Sequence, residues 1–126
     1  MALEVVVDKR RIRRDGAKVS INPKLSRIVL NKKAIKLIEQ NYTKQLTHVQ
    51  LLIDSGVQDA FWVKPCEPID FGARKIDTSS RSSLVVGCRL LLRRLKWHGD
   101  ETRWFPVIWD AENNAARIKL GMALAG

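Results

Sequence analysis

Residues 26–40, SRIVLNKKAIKLIEQ, hold a short strand, a helix start and a two-faced helix, and their reading decides the fold. Arg27, Ile28, Val29 and Leu30 form a run rich in β-branched side chains, which are stiff at χ1 and suit an extended backbone. Asn31 stands where a helix N-cap belongs, because its amide oxygen can accept from the free N–H groups of a first turn. At about 100° per residue, Ala34, Ile35, Leu37 and Ile38 then gather on one side of a helix. Lys32, Lys33, Lys36 and Gln40 occupy the other. The stretch predicts a strand followed by a helix that clips onto a core and turns a cationic face outward.

Working towards the N-terminus, Ala17 to Ile21 alternates, with Val19 and Ile21 on one face, and Asn22-Pro23 ends that strand. Asp15-Gly16 is a turn signal. Before it, the short apolar run Leu3 to Val7 leads into Lys9, Arg10, Arg11, Arg13 and Arg14, clustered around Ile12. Five cations so close repel one another and bury nothing. The segment is either an arm that orders on a polyanion or a strand edge or hairpin turn kept soluble by charge.

Working towards the C-terminus, Leu46 to Asp54 reads as a strand with Val49, Leu51 and Ile53 on one face. Asp54-Ser55-Gly56 turns it, and Ala60 to Val63 returns before Lys64-Pro65 stops the hairpin. PCEPIDFG, residues 65–72, is rich in turn formers and predicts a connector, with a short strand at Gly72 to Ile76. The serines and threonine of residues 78–83 suit a loop ending in an N-cap. Residues 84–97 repeat the opening logic: Val85 and Val86 extended, then a helical stripe of Cys88, Leu91, Leu92 and Leu95 with Arg89, Arg93 and Lys96 outside. Trp104 to Asp110 and Ala115 to Leu120 form a second hairpin, and the tail GMALAG has no pattern that would hold it.

The expected fold class is α+β, with antiparallel sheets and two short helices in one domain spanning residues 1–126. Within it, 1–16 is the basic arm or edge strand, 17–65 a first half, 66–83 a connector and 84–120 a second half. RIVLNKKAIKLI, VQLLID and FWVKP match, in order and spacing, SLVVGCRLLLRRL, FPVIWD and ARIKL. The match is one of pattern, and predicts two pseudo-symmetric strand-helix-hairpin units, each burying its open apolar face on the other.

A chain of 126 residues can bury roughly two-thirds of its unfolded surface without staples. With 45% hydrophobic and 29% charged residues it is neither a disordered tail nor a membrane protein. No apolar run approaches the ~20 residues of a membrane span. The N-terminus has its charges after its apolar segment rather than before it, unlike a secretory signal, so a cytoplasmic location is expected. Cys66 and Cys88 are no disulfide framework and are expected as free buried thiols. Net charge is +10, and it is local. Residues 1–44 carry 12 basic against 4 acidic residues, a net of +8, while residues 45–126 carry 11 against 9, a net of +2. Such an end implies a polyanion partner, an anionic surface, or a solubilising face.

VSINPKLSRIVLNKKAIKLI followed by VQLLID and FWVKP resembles the AbrB/MazE swapped-hairpin type of DNA-binding domain. The resemblance covers residues 19–65, with a fainter echo in 81–120. It implies an intertwined fold and DNA contacts from Lys18, Lys24 and Arg27.

No phosphate loop, nucleophile elbow or zinc-ligand spacing occurs, so no catalytic residue, metal site or cofactor is expected. Asp54 and Asp110 each end a strand where an aspartate caps a turn. Three tryptophans lie near cations in sequence: Trp62 with Lys64, Trp97 with Lys96, and Trp104 with Arg103. Two functional readings stand. In the first, the chain is a non-enzymatic, regulatory nucleic-acid-binding protein, with DNA the favoured partner, acting as a monomer or a homodimer. Phosphate contacts then come from Lys9, Arg10, Arg11, Arg13, Arg14, Lys32, Lys33 and Lys36, joined by Lys18, Lys24 and Arg27. In the second, it is a protein-interaction module, such as a phage or mobile-element accessory factor, whose basic face meets an acidic protein.

Overall fold

The computed structural model describes residues 16–77, 83–97, 99 and 101–121. The arm cations Lys9, Arg10, Arg11, Arg13 and Arg14 lie outside the described residues, as do the loop 78–82 and the tail 122–126. The strands are β1 (Lys18–Asn22), β2 (Arg27–Asn31), β3 (His48–Asp54), β4 (Val57–Cys66), β5 (Arg74–Lys75), β6 (Ser83–Gly87), β7 (Arg103–Asp110) and β8 (Ala115–Lys119). Helix α1 (Lys32–Tyr42) joins β2 to β3, and α2 (Arg89–Arg94) follows β6.

Where separate sheets were one expectation, there is a single eight-stranded antiparallel sheet, in the order β5-β3-β4-β8-β7-β1-β2-β6. Beyond β5, Asp77 forms one antiparallel bridge with Val85 of β6, so the two edges meet and the sheet nearly closes into a barrel. Near-closure shortens the exposed edges that would otherwise template association. Its interior is apolar: Val19, Ile21, Ile28, Leu30, Val49, Phe61, Val63, Phe105 and Ile118 are all essentially inaccessible. Their side chains share the inner face by the period of two along each strand, while Ala60, Trp62 and Ala115 form a smaller second buried cluster with Leu52 and Val57.

Helix α1 closes this interior. Ala34 and Ile38 are fully buried in the same cluster, with Ile35 and Leu37 half-buried against it, while Lys32, Lys33, Lys36 and Gln40 are exposed. Asn31 caps the helix, its Oδ1 accepting from Ala34 N at 2.9 Å. The same oxygen accepts from Lys18 N at 3.0 Å, and Asn31 Nδ2 donates to Gly16 O at 3.0 Å. One side chain therefore starts the helix and ties it to β1. Val85 and Val86 are extended as read, within β6, which its ladder with β2 holds, and the helical stripe that follows forms a helix of six residues. The connector 66–83 also holds a strand, β5, paired with His48 and Val49.

Strand β4 runs through Pro65 to Cys66, whereas the Lys64-Pro65 pair was expected to stop it. The ladder with β8 ends at Val63 opposite Ala116, so at Pro65 the strand is paired only with β3. A residue without an N–H is tolerated where one side of a strand has no partner.

Cys66 and Cys88 are buried and unbridged. Burial pushes the Cys88 thiol up to about 11 and raises that of Cys66 as well. Since the thiolate is the reactive form, Cys88 should react with a disulfide reagent near neutral pH roughly two to three orders of magnitude more slowly than a free thiol. Both cysteines should titrate promptly in denaturant. Fast labelling of Cys88 in the native protein would contradict its burial.

Candidate nucleic-acid interface

Strands β2 and β6 run antiparallel, with Asn31 opposite Ser83 and Arg27 opposite Gly87. Helix α1 leaves from Asn31 and α2 from just beyond Gly87, so the two helices start at opposite ends of the barrel. That geometry divides the sequence-predicted cations into two groups. Lys18, Lys32, Lys33 and Lys36 stand around the Asn31 cap, at the end where Gly16 leads into β1. Lys24 and Arg27 stand at the other end of β2, on the tip of the β1–β2 hairpin, four residues or about 13 Å away along the strand.

At the α1 end, Lys32, Lys33 and Lys36 are exposed and Lys18 is half-buried. The Nζ of Lys18 lies 4.9 Å from the centroid of the Trp104 ring. The first turn of α1 contains two lysines and no acidic residue. This opposes the helix dipole, whose positive end favours carboxylates, and each misplaced charge costs about 0.3–1 kcal/mol at an exposed site. The two ion pairs among the described residues use other cations. Lys44 Nζ meets Glu67 Oε1 at 2.6 Å, and Arg103 lies 3.8 Å from Glu101.

The hairpin tip is shaped by Asn22, whose Oδ1 accepts from Leu25 N at 3.2 Å, and by Ser26 in the left-handed region at φ 51°. Ser26 O accepts from Cys88 N at 2.8 Å, which sets the tip against the start of α2. Arg89, Arg93 and Lys96 line a groove there with Pro23, Leu92 and Trp97, a space of about 320 Å³. Sequence reading placed these three cations on the outer face of a helix but did not join them to Lys24 and Arg27. Their meeting depends on the β2–β6 ladder, which no local pattern announces.

The aromatic–cation pairs differ from those read in sequence. Trp104 is covered by Lys18 from the neighbouring strand, and Trp62 by Arg117, 5.5 Å from its ring centroid. Arg103 and Trp104 are consecutive in β7 and so point to opposite faces. Trp97 packs edge-on against Phe105, with centroids 5.8 Å apart, and serves the core.

Asp54 and Asp110 each close their own hairpin turn. Asp54 Oδ1 accepts from Gly56 N at 2.9 Å. Asp110 accepts from Asn113 Nδ2 at 2.7 Å, from Glu112 N at 3.1 Å and from Trp62 Nε1 at 2.9 Å. The Asn113 and Trp62 hydrogen bonds hold its carboxyl below the usual range. At the far end of α1, Glu67 accepts from Lys44 and from the Tyr42 hydroxyl at 2.8 Å, which lowers its carboxyl. The same bond pushes the Tyr42 hydroxyl up to about 12. These carboxylates are occupied by structural duties.

Comparison of the chain with known protein families, with curated proteins and with solved structures gives no match. Among the described residues no helix is long and apolar enough to cross a membrane.

Proposed function

We propose that this is a regulatory, non-enzymatic nucleic-acid-binding protein of the cytoplasm, with DNA its favoured partner. Phosphates are contacted by Lys18, Lys32, Lys33 and Lys36 at the α1 end, joined by the arm cations Lys9, Arg10, Arg11, Arg13 and Arg14. The tip cations Lys24 and Arg27 form a second contact, with Arg89, Arg93 and Lys96 beside them. The observation that carries this reading is the first turn of α1. Two exposed lysines at the positive end of a helix dipole, with no acid in that turn, lower stability and contribute nothing to the core. A bound phosphate would offset that cost, since free N–H groups and cations both favour an anion there.

The test is a salt series on duplex DNA. Replacing Arg10, Arg11, Arg13 and Arg14 with alanine should leave the melting temperature nearly unchanged and flatten the slope of log K against log salt by several units, at about 0.9 for each phosphate that is no longer neutralised. Lys32→Ala with Lys33→Ala and Lys36→Ala should flatten it further. An unchanged slope in both variants removes these residues from the interface. Binding of an acidic protein that DNA does not compete away would favour the protein-interaction reading.

The resemblance of residues 19–65 to AbrB/MazE-type domains and the internal duplication belong to the same proposal. What supports the duplication is strand order. Exchanging β1 with β5, β2 with β6, β3 with β7 and β4 with β8 returns the same ring of neighbours. The two units interleave: β1 lies beside β7, β2 beside β6 and β4 beside β8.

A further inference from the structure

The groove of about 320 Å³ between the β1–β2 tip and α2 has two kinds of wall. Pro23, Leu92 and Trp97 form an apolar side, while Arg89, Arg93 and Lys96 supply three cations. No acidic residue is among those that line it. Glu101, two residues beyond Gly99, lies 3.8 Å from Arg103, and the other ion pair among the described residues uses Lys44.

The backbone brings these cations together. Arg89 and Arg93 are four residues apart and share one face of α2, where like charges repel. Lys96 follows the helix at φ 52°, in the left-handed region that glycine adopts with least strain. Its N–H donates to Arg93 O at 3.2 Å, and Trp97 N donates to Leu92 O at 3.0 Å, so the turn holds both residues against the helix end. A helix dipole favours cations at the C-terminal end, which accounts for Arg93 and Lys96 but not for Arg89 in the first turn. Three positive charges around one small space leave a repulsion that an anion of matching charge relieves.

Charge and size select among anions. An internal phosphodiester carries one negative charge, whereas a phosphate monoester carries about −1.5 to −2 at pH 7 and presents three acceptor oxygens. The fixed fork of donors on arginine matches such oxygens in pairs. The volume is at the low end of small-ligand sites, the scale of one nucleotide and not of a duplex. Trp97 is half-buried, with one side packed on Phe105, and the part of the indole that lines the groove remains for a base. Aromatic rings accept bases of any sequence, since every base has a π face.

We propose that this groove holds the phosphorylated end of a single strand, an inference that rests on the nucleic-acid-binding function proposed for the chain. Arg89, Arg93 and Lys96 take the terminal phosphate monoester, and Trp97 with Leu92 takes the base or sugar of the same nucleotide. The α1 face meets internal phosphates, and the groove, at the other end of the barrel, meets a terminus.

The test uses the full chain and single-stranded DNA of one sequence, labelled internally, with a 5′-phosphate, a 3′-phosphate or hydroxyls at both ends. A phosphate at one end should tighten binding about tenfold or more. Arg93→Ala with Lys96→Ala, both at exposed positions, should bring the phosphorylated and hydroxyl forms to equal affinity while leaving the melting temperature nearly unchanged. Lys32→Ala with Lys33→Ala and Lys36→Ala should instead weaken all three forms and keep the preference. A nucleoside 5′-monophosphate should displace the phosphorylated strand at a lower concentration than inorganic phosphate does, because only the nucleotide reaches Trp97. Equal binding of the three forms by the wild-type chain overturns the proposal. So does a preference that survives the Arg93 and Lys96 substitutions, or inorganic phosphate that competes as well as the nucleotide. Where the α1 substitutions still weaken binding in those cases, the nucleic-acid-binding function stands without the groove; if no form binds, both fall.

Discussion

Residues 1–68 produced alone should be unfolded as a monomer, or should regain structure only by associating with another copy. The cut falls in the loop after β4 and severs no strand or helix, so any loss of folding must come from missing partners. Those partners are numerous. In the intact chain β1 pairs with β7, β2 with β6, and β4 with β8. The fragment keeps two hairpins, β1–β2 and β3–β4, with α1 between them, and isolated hairpins are marginal in water. Helix α1 loses the surfaces of β6, β7 and β8, and the core loses Phe105, Val107, Ile118, Leu91 and Leu92. Circular dichroism and sizing should therefore report little cooperative structure, and adding residues 69–126 should restore it. If the fragment does associate, a second copy offering β2 and β4 where β6 and β8 belong is the arrangement that the proposed duplication predicts. A monomeric fragment with a cooperative melt would show instead that the first half holds its own core, contrary to the interleaved ladders.

Local features of this architecture were legible in the sequence because they arise from neighbours in the chain. Asn31 reads as a cap and is one, and the 34–35–37–38 face of α1 points inward as its spacing requires. The alternation of Val49, Leu51 and Ile53 sets the inner face of β3, and Phe61 and Phe105 are buried core residues. What could not be read depends on distant pairings. Nothing near Val85 announces the bridge to Asp77 that brings the sheet edges together. Pro65 looked like a strand end because its tolerance depends on where β8 stops, more than fifty residues away in the chain. The cationic site was half legible for the same reason. Lys32, Lys33 and Lys36 share a helix face and could be grouped by period, but Lys24 and Arg27 belong to the opposite end of the barrel with Arg89 and Arg93. Lys18 reaches Trp104 only across the β1–β7 ladder.

Ile38→Ala should destabilise the protein by about 2–5 kcal/mol, the largest effect expected from any single substitution in α1. Ile38 is fully buried and belongs to the central cluster. Its truncation removes transferred apolar surface and leaves a space between helix and barrel wall that the closed sheet cannot collapse to fill. Alanine is the best helix former, so the loss cannot be assigned to the helix itself. Leu37, half-buried on the flank of the same face, should lose less when cut to alanine, because its cavity opens to water. Lys36→Ala, fully on the outer face, should change stability by no more than about 0.5 kcal/mol while weakening DNA binding. Urea melts of the three variants should rank in that order with a common slope, and for a chain of this size the Ile38 variant should melt on the order of 10 °C below the parent. The ranking tests the helix's orientation directly. Neighbouring positions are separated by about 100° around the axis, so a Leu37 variant less stable than the Ile38 variant would mean a helix rotated on the barrel. Lys36 would then leave the outermost position, and the proposed phosphate face would turn with it.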